Sequence, residues 1–389
     1  MKFITALLLF ILQTPVGNLL PDWRPGYLDI HAINSARGEC TFFVLPDGTT
    51  MVVDAGEFYS HEPKAYGKVA PKPDAATRPY KVYADYIRHF LPSQSRDSID
   101  YFVLTHYHMD HMGHTEKGFA KDKDGGYVLS GVTALYCEVP FRKVLDRSYP
   151  DYSEDIHTGG TSKDISFYSK FIDYCTTQRG MKAERFEAGG KNQISLAHKA
   201  RKYRNFSVRN YASNGFALSR TADGETVVDC HADRENAMSC AFLISYGPFE
   251  YWTSGDNNWI ELVRCTSSSI GHPIEAMKCH HHMSNPDSFN IENDVLKPQV
   301  IVTQSFYIRE IQPHQEIIDS IGDSQDLFFT NIAPEMAAEK PELYSKAKTK
   351  DGHIVIRVGK GGKSFMVYQL DDTDPSYRVK AVFGPYRSK

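Results

Sequence analysis

Across 389 residues the sequence has no Cys-x-x-Cys pair, no internal repeat and no low-complexity tract. Beyond its first residues it has no apolar run long enough to span a bilayer. The seven cysteines (Cys40, Cys137, Cys175, Cys230, Cys240, Cys265 and Cys279) are scattered, which excludes a zinc ribbon or a thioredoxin motif. A chain of this size does not need disulfide staples, so most of them read as buried, inert thiols. An excess of one charge is also missing. A formal net charge of −4 gives no overall drive toward nucleic acid or acidic membranes, and polyanion binding would need a local patch. Charged and apolar fractions of 24% and 41% exclude global disorder. The length suffices for one large domain or two ordinary ones.

What is present begins with "MKFITALLLFILQTPVG", one lysine followed by an apolar run of signal-peptide length. It predicts a leader over residues 1–20, with Gly17 a weak cleavage candidate, and an exported product, periplasmic or extracellular. No stable membrane span is expected after cleavage. From Tyr27 the pattern is strand, then a hairpin turning at Pro46-Asp47-Gly48, then a helix over Lys81–Leu91 and a buried strand, "IDYFVLTH". This order fits a layered α/β protein. Residues 115–212 are less regular and read as an insertion over one rim, with a helix at Ser166–Arg179. Two further strands meet at Gly247-Pro248, "QVIVTQS" reads as another buried strand, and a C-terminal hairpin is expected over 353–370. Residues 24–389 thus form a single domain.

The chemistry concentrates in "LTHYHMDHMGH", where His106, His108, Asp110 and His111 form H-x-H-x-D-H directly after a buried strand. In an extended segment alternate residues face the same way, so His106, His108 and Asp110 can converge, and a bend must bring in His111. Imidazoles plus a carboxylate suit a hydrolytic divalent metal. One loop cannot close two coordination spheres. Asp256, at the end of the apolar strand in "YWTSGD", and the run His280-His281-His282 in "KCHHHMSNPDS" are the candidates for the rest.

These residues together resemble the metallo-β-lactamase superfamily. Within it they resemble the branch containing the nuclease-like domain of ComEC-type competence proteins and secreted phosphorylcholine esterases. The resemblance rests on four segments in order: "IHAINSARGECTFFVLPDGTTMVVDAG", "THYHMDHMGH", "ENAMSCAFLISYGPFEYWTSGD" and "KCHHHMS", spanning about Tyr27 to Ile318. It implies a four-layer αββα sandwich and two divalent ions, zinc first, with manganese or iron as alternatives. His106 and His108 would bind one ion and Asp110 and His111 the other. Asp256 would bridge them, and His281 is favoured over His282 as the remaining ligand. Asp54, Asn236, Ser239 and Lys278 would stand behind the ligands. Asn236 and Ser239 fall where many members have a third histidine for the first ion, so that ion would be weakly held.

The implied reaction is hydrolysis by a metal-bound hydroxide, with Asp110 or Asp256 orienting the nucleophile and His282 a candidate proton donor to the leaving group. The expected substrate is a phosphodiester, small or polymeric. The alternatives are a lactonase or β-lactamase-type hydrolase, or a non-catalytic ligand-binding protein on the same scaffold. Two departures stand out: Met283 replaces a usual glycine, and Arg37-Gly38-Glu39 replaces Gly-x-Gly-Asp. Arg37 and His314 are substrate candidates, each with an equally good structural role as a surface ion pair or a helix cap. In "HKARKYRNFSVRNY", Lys199, Arg201, Lys202 and Arg204 alternate with Tyr203, Phe206 and Tyr211. That pattern suits phosphate contact and base stacking, although a charge run of this length is more often a solvated face.

Overall fold

Short β-branched and aromatic runs punctuated by Gly, Pro and Asp become strands, and the longer amphipathic segments become helices. The computed structural model describes residues 14–58, 69–95, 98–153, 162–304 and 312–389. Residues 1–13, most of the expected leader, lie outside them. Gly17, the expected cleavage candidate, is described: its N–H donates to Val379 O at 2.8 Å.

Two nine-stranded mixed sheets organise the chain. From edge to edge the first runs β18 (Val379–Arg387), β17 (Ser364–Leu370), β16 (His353–Val358), β1 (Leu28–Ala32), β2 (Thr41–Val44), β3 (Thr50–Val53), β4 (Ile99–Val103), β5 (Phe141–Asp146) and β6 (Lys182–Arg185). The second runs β15 (Ala347–Thr349), β14 (Asp326–Phe329), β13 (Val300–Thr303), β12 (Ala276–Lys278), β11 (Phe249–Thr253), β10 (Ala241–Tyr246), β7 (Phe206–Ser213), β8 (Phe216–Thr221) and β9 (Gly224–Asp229). Antiparallel hairpins lead into parallel runs, β3 to β6 in one sheet and β11 to β15 in the other. All the parallel strands of a run therefore end at one edge. The C-terminal hairpin pairs His353 with Leu370, and the β2–β3 turn closes with Leu45 N–H on Thr49 O.

Eight α-helices occur among the described residues. Phe43, Met51 and Val103 of the first sheet meet Phe242, Tyr251 and Val300 of the second in one buried cluster. Phe42, Val52 and Phe102, on the first sheet's other face, pack against α1 (Pro79–Phe90) and α4 (Ser162–Gln178). Leu243, Trp252 and Ile301 of the second sheet pack against α5 (Ile260–Ile270) and α6 (Pro286–Leu296). On α1 the residues Tyr83, Tyr86 and Ile87 are fully buried, each stabilising by on the order of 2 kcal/mol.

The stretch 115–212 is woven into both sheets rather than lying over a rim. It supplies α3 (Gly131–Glu138), β5, α4, β6 and β7, and β5 and β6 continue the parallel run. Edge strand β6, "KAER", is almost entirely polar, which suits an unpaired edge and hides it from a hydrophobic pattern.

Candidate metal centre

The edge where the parallel strands end gathers the chemistry. After β4 the backbone stays extended through His108 (φ −70°, ψ 152°), so His106 and His108 face together, Nε2 to Nδ1 at 3.1 Å. A single helical turn, α2 (Met109–Met112), then supplies the bend that carries Asp110 and His111 inward. Tyr107, between the two histidines, points the other way into a buried network. Its hydroxyl lies 3.3 Å from Asp146, and its N–H donates to Glu235, which also takes Arg147 at 2.7 Å.

The loop is packed from behind. Asp54, left-handed at φ 60°, accepts Thr105 N–H and Oγ1–H, both at 2.8 Å, and meets His111 Nδ1 at 2.7 Å. That contact leaves His111 Nε2 facing the centre, as a carboxylate behind a liganding histidine should. Gly56 is obligatory, because a Cβ there would lie 1.7 Å from the Asp110 carbonyl oxygen. At Gly255, left-handed at φ 55°, a Cβ would lie 2.8 Å from Thr105 Cβ and 2.9 Å from Ser239.

From the second sheet, Asp256 follows β11 with its N–H on Ser239 Oγ at 3.2 Å. Its Oδ2 lies 3.1 Å from His111 Nε2, 3.2 Å from His282 Nε2 and 3.9 Å from His106 Nε2. His282 Nε2 also lies 2.9 Å from Asp110. The histidine that joins the cluster is therefore His282, not His281. His281 Nε2 meets Asn236 at 3.0 Å, and its Nδ1 faces Ser284 and Asn285. His280 is buried between Ser288 and Glu292. Left-handed backbone at three successive residues, His281, His282 and Met283 (φ 45°, 53° and 62°), produces this arrangement. At Met283, where glycine would adopt this conformation freely, complete burial of the side chain offsets a cost of about 1–2 kcal/mol.

Sequence reasoning missed Glu39. Its Oε1 lies 3.0 Å from His282 Nδ1 and its Oε2 2.7 Å from Lys278 Nζ, all of them buried. The signal was available in Arg37-Gly38-Glu39, whose glutamate stands at the acidic position of Gly-x-Gly-Asp. Arg37 Nη1 donates to the carbonyls of Ala36 and Val69. His314 caps helix α7 (Gln315–Ser320), accepting Glu316 N–H at 3.3 Å.

Lys199, Arg201, Lys202 and Arg204 lie far from this centre. Asp47, in the β2–β3 turn at the opposite strand end, accepts the N–H groups of His198 and Lys199. Asn205 O accepts Gly247 N–H of the β10–β11 turn, at that same far end. Tyr203, Phe206 and Tyr211 are buried and not available for stacking.

Glu39, His111, Asp256 and His282 could hold a metal ion, since one donor atom from each lies within 4.8 Å of the others. The donor chemistry fits a divalent cation. Glu39, Asp54, Asp110 and Asp256 are four buried carboxyl groups facing one ammonium, Lys278, and Glu39 Oε1, Asp256 Oδ1 and His111 Nε2 have no hydrogen-bond partner. Without a cation, protons fill the deficit. Burial alone would lower the imidazoles, yet the surrounding carboxylates, Asp256 foremost, push His111 and His282 well above the usual histidine range. Burial would raise Asp110, but His111 and His282 beside it bring it down to about 2. Protons and a metal ion would compete for the same nitrogens.

Comparison with known protein families and with characterised proteins finds no match.

Proposed function

We propose that the chain is an exported, dinuclear metal-dependent hydrolase with a metallo-β-lactamase-like four-layer αββα fold, acting on phosphodiesters. The observation carrying this reading is the convergence of His106, His108, Asp110, His111, Asp256 and His282 from three strand ends onto one buried group with unsatisfied carboxylate oxygen. His282, rather than His281, takes the ligand role beside Asp110 and Asp256. The Gln304 carbonyl and Asp54 orient His282 and His111 through their Nδ1 atoms, and Lys278 holds Glu39 and Asp256 in place. Divalent ions, when bound, would supply Lewis-acid activation of water and of the scissile centre. Asp110, the more accessible carboxylate, is placed to accept a proton from a water at the mouth. His281, half-exposed and neutral because burial lowers its affinity for protons, is better placed than His282 to meet a leaving group. The phosphodiester assignment is supported by the ordered motif resemblance alone, because the basic stretch lies at the other end of the molecule.

The test is metal analysis followed by hydrolysis of bis-p-nitrophenyl phosphate, a chromogenic β-lactam and a lactone. Diester turnover lost on the order of 100-fold or more in Asp110→Ala and His108→Ala supports the proposal. Unchanged turnover refutes the mechanism. Turnover of the lactam or lactone alone replaces the substrate class.

A further inference from the structure

From the end of the molecule opposite the metal centre, we infer a second binding site, for a linear phosphate polyanion recognised by its backbone charge. Its charge is segregated against the composition of the whole chain. Residues 188–222 contain no Asp or Glu but hold Lys191, Lys199, Arg201, Lys202, Arg204, Arg209 and Arg220, in a protein of net charge −4. Glu225 pairs with Lys191, Arg209 and Arg220, which leaves Lys199, Arg201, Lys202 and Arg204 as the unbalanced group.

The structure gives this stretch a fixed shape. Asp47 Oδ2 accepts the N–H groups of His198 and Lys199 at 2.8 and 2.7 Å, and Ala200–Lys202 form one 3-10 turn. Tyr203 and Phe206 plug the ridge into the core between the sheets. Lys199, Arg201, Lys202 and Arg204 are left exposed, and none makes an ion pair among the described residues. The ridge adjoins a cleft of about 590 Å³ at the starts of β4, β5 and β6, whose lining includes Asp100, Tyr101, Arg142, Lys143, Arg179 and Lys182. Ala197 lines this cleft, and His198 Nε2 lies 3.7 Å from Asp100. Acidic neighbours offset part of the cleft: Glu184 takes Lys143 at 2.7 Å, Asp124 takes Arg179 at 3.4 Å, and Asp100 lies 3.9 Å from Arg142. Lys182 and the four ridge cations keep their charge for a ligand.

Two observations select the ligand. The ridge aromatics are buried, so bases cannot stack on them, and recognition falls to repeated charge. No large apolar side chain is exposed on the ridge, where membrane insertion would require one; the exposed ones are Val16, Leu19, Phe216 and Val227. The site is distinct from the metal centre, which at about 3.3 Å per extended residue over the nine steps from Gly247 to Asp256 lies up to about 30 Å away.

Fluorescence anisotropy with labelled inorganic polyphosphate and labelled oligothymidylate, titrated across salt, tests this on the full chain. Binding should weaken steeply with salt. Lys199→Ser/Arg201→Ser/Lys202→Ser/Arg204→Ser should cut affinity on the order of 100-fold and lower the slope of log K against log salt by about 3. A Lys182→Ser/Arg142→Ser variant should weaken binding less, and Asp256→Asn should leave it intact, which separates this site from the proposed hydrolytic one. Preference for polyphosphate or for oligothymidylate names the source of the polymer, and either result supports the site. Binding that is absent or insensitive to salt overturns it. So does unchanged affinity in the fourfold variant at an unaltered melting temperature. Adsorption to phosphatidylglycerol vesicles without binding to either polymer overturns it too.

Discussion

Replacing Lys278 by methionine should destabilise the metal-free protein while tightening its hold on a divalent cation. The ammonium is buried, 2.7 Å from Glu39 and 3.7 Å from Asp256, and donates to Gly255 O at 2.9 Å. At an effective dielectric of about 20 the two ion pairs amount to roughly 6 and 4.5 kcal/mol of gross attraction. Desolvation of the ammonium cancels much of that. Removing one partner of such a buried pair still costs about 3–5 kcal/mol, because the carboxylates remain buried without compensation. A bound cation would supply the missing charge, so the cost in the loaded protein should fall to about half. The thermodynamic cycle then requires the metal-free protein to bind the cation more tightly by about 2 kcal/mol, roughly 30-fold. Urea denaturation with and without metal, together with chelator competition, measures both legs. Equal destabilisation in both states, or weaker metal binding, would refute the charge-compensation argument. It would show instead that Lys278 acts by fixing carboxylate geometry.

Chelator competition should also separate the two adjacent histidines: His282→Asn should weaken metal binding about 100-fold or more, and His281→Asn far less. Gly56→Ala puts a methyl 1.7 Å from the Asp110 carbonyl oxygen and should lower stability by several kcal/mol, read as a fall in melting temperature with loss of metal binding. His353 is buried against Tyr86 and Tyr377, and burial lowers its affinity for protons to a pKa of about 3. The unfolded chain, titrating near 6.5, binds a proton that the folded chain refuses. Stability is therefore full above about pH 6.5 and falls by about 1.4 kcal/mol per pH unit from there toward pH 3. His353→Gln should flatten that dependence between pH 7 and 5 in urea titrations with chelator present; an unchanged slope would contradict it.

The parts of the structure legible from sequence were those set by local pattern. The β2–β3 and β10–β11 turns announce themselves in Pro46-Asp47-Gly48 and Gly247-Pro248, and α1 and α4 follow apolar periodicity. Strand β6 escaped because a short edge segment is polar by necessity, and β5, "FRKVLD", because Arg142 and Lys143 break its apolar pattern. At the centre, H-x-H-x-D-H and Asp256 were readable because strand ends dictate where such side chains gather; alternation holds only for His106 and His108, since a helical turn, not extended chain, brings in Asp110. The choice between His281 and His282 was not. It depends on three consecutive left-handed residues, and nothing in the run His280–Met283 marks non-glycine residues for that conformation. Glu39 escaped for a different reason: its meaning is tertiary, since only Lys278 and His282, more than two hundred residues away, make it part of the centre.

The two halves of the centre are unequally equipped, and the inequality traces to particular residues. His111, Asp256 and His282 sit with Glu39 in a buried group rich in carboxylate and backed by Asp54 and Lys278. His106 Nε2 lies 3.9 Å from Asp256 Oδ2, and His108 is half-exposed. Where a third imidazole would complete that half, Asn236 instead pairs with His281 Nε2 at 3.0 Å, neutral amide against neutral ring. Negative charge holds a cation more strongly than neutral imidazole alone, and burial strengthens the effect. A first ion should therefore settle in the Glu39 half. On the proposed two-ion reading, a second would bind beside His106 and His108 only as far as Asp256 has charge left to share, so filling both positions would depend on that one carboxylate.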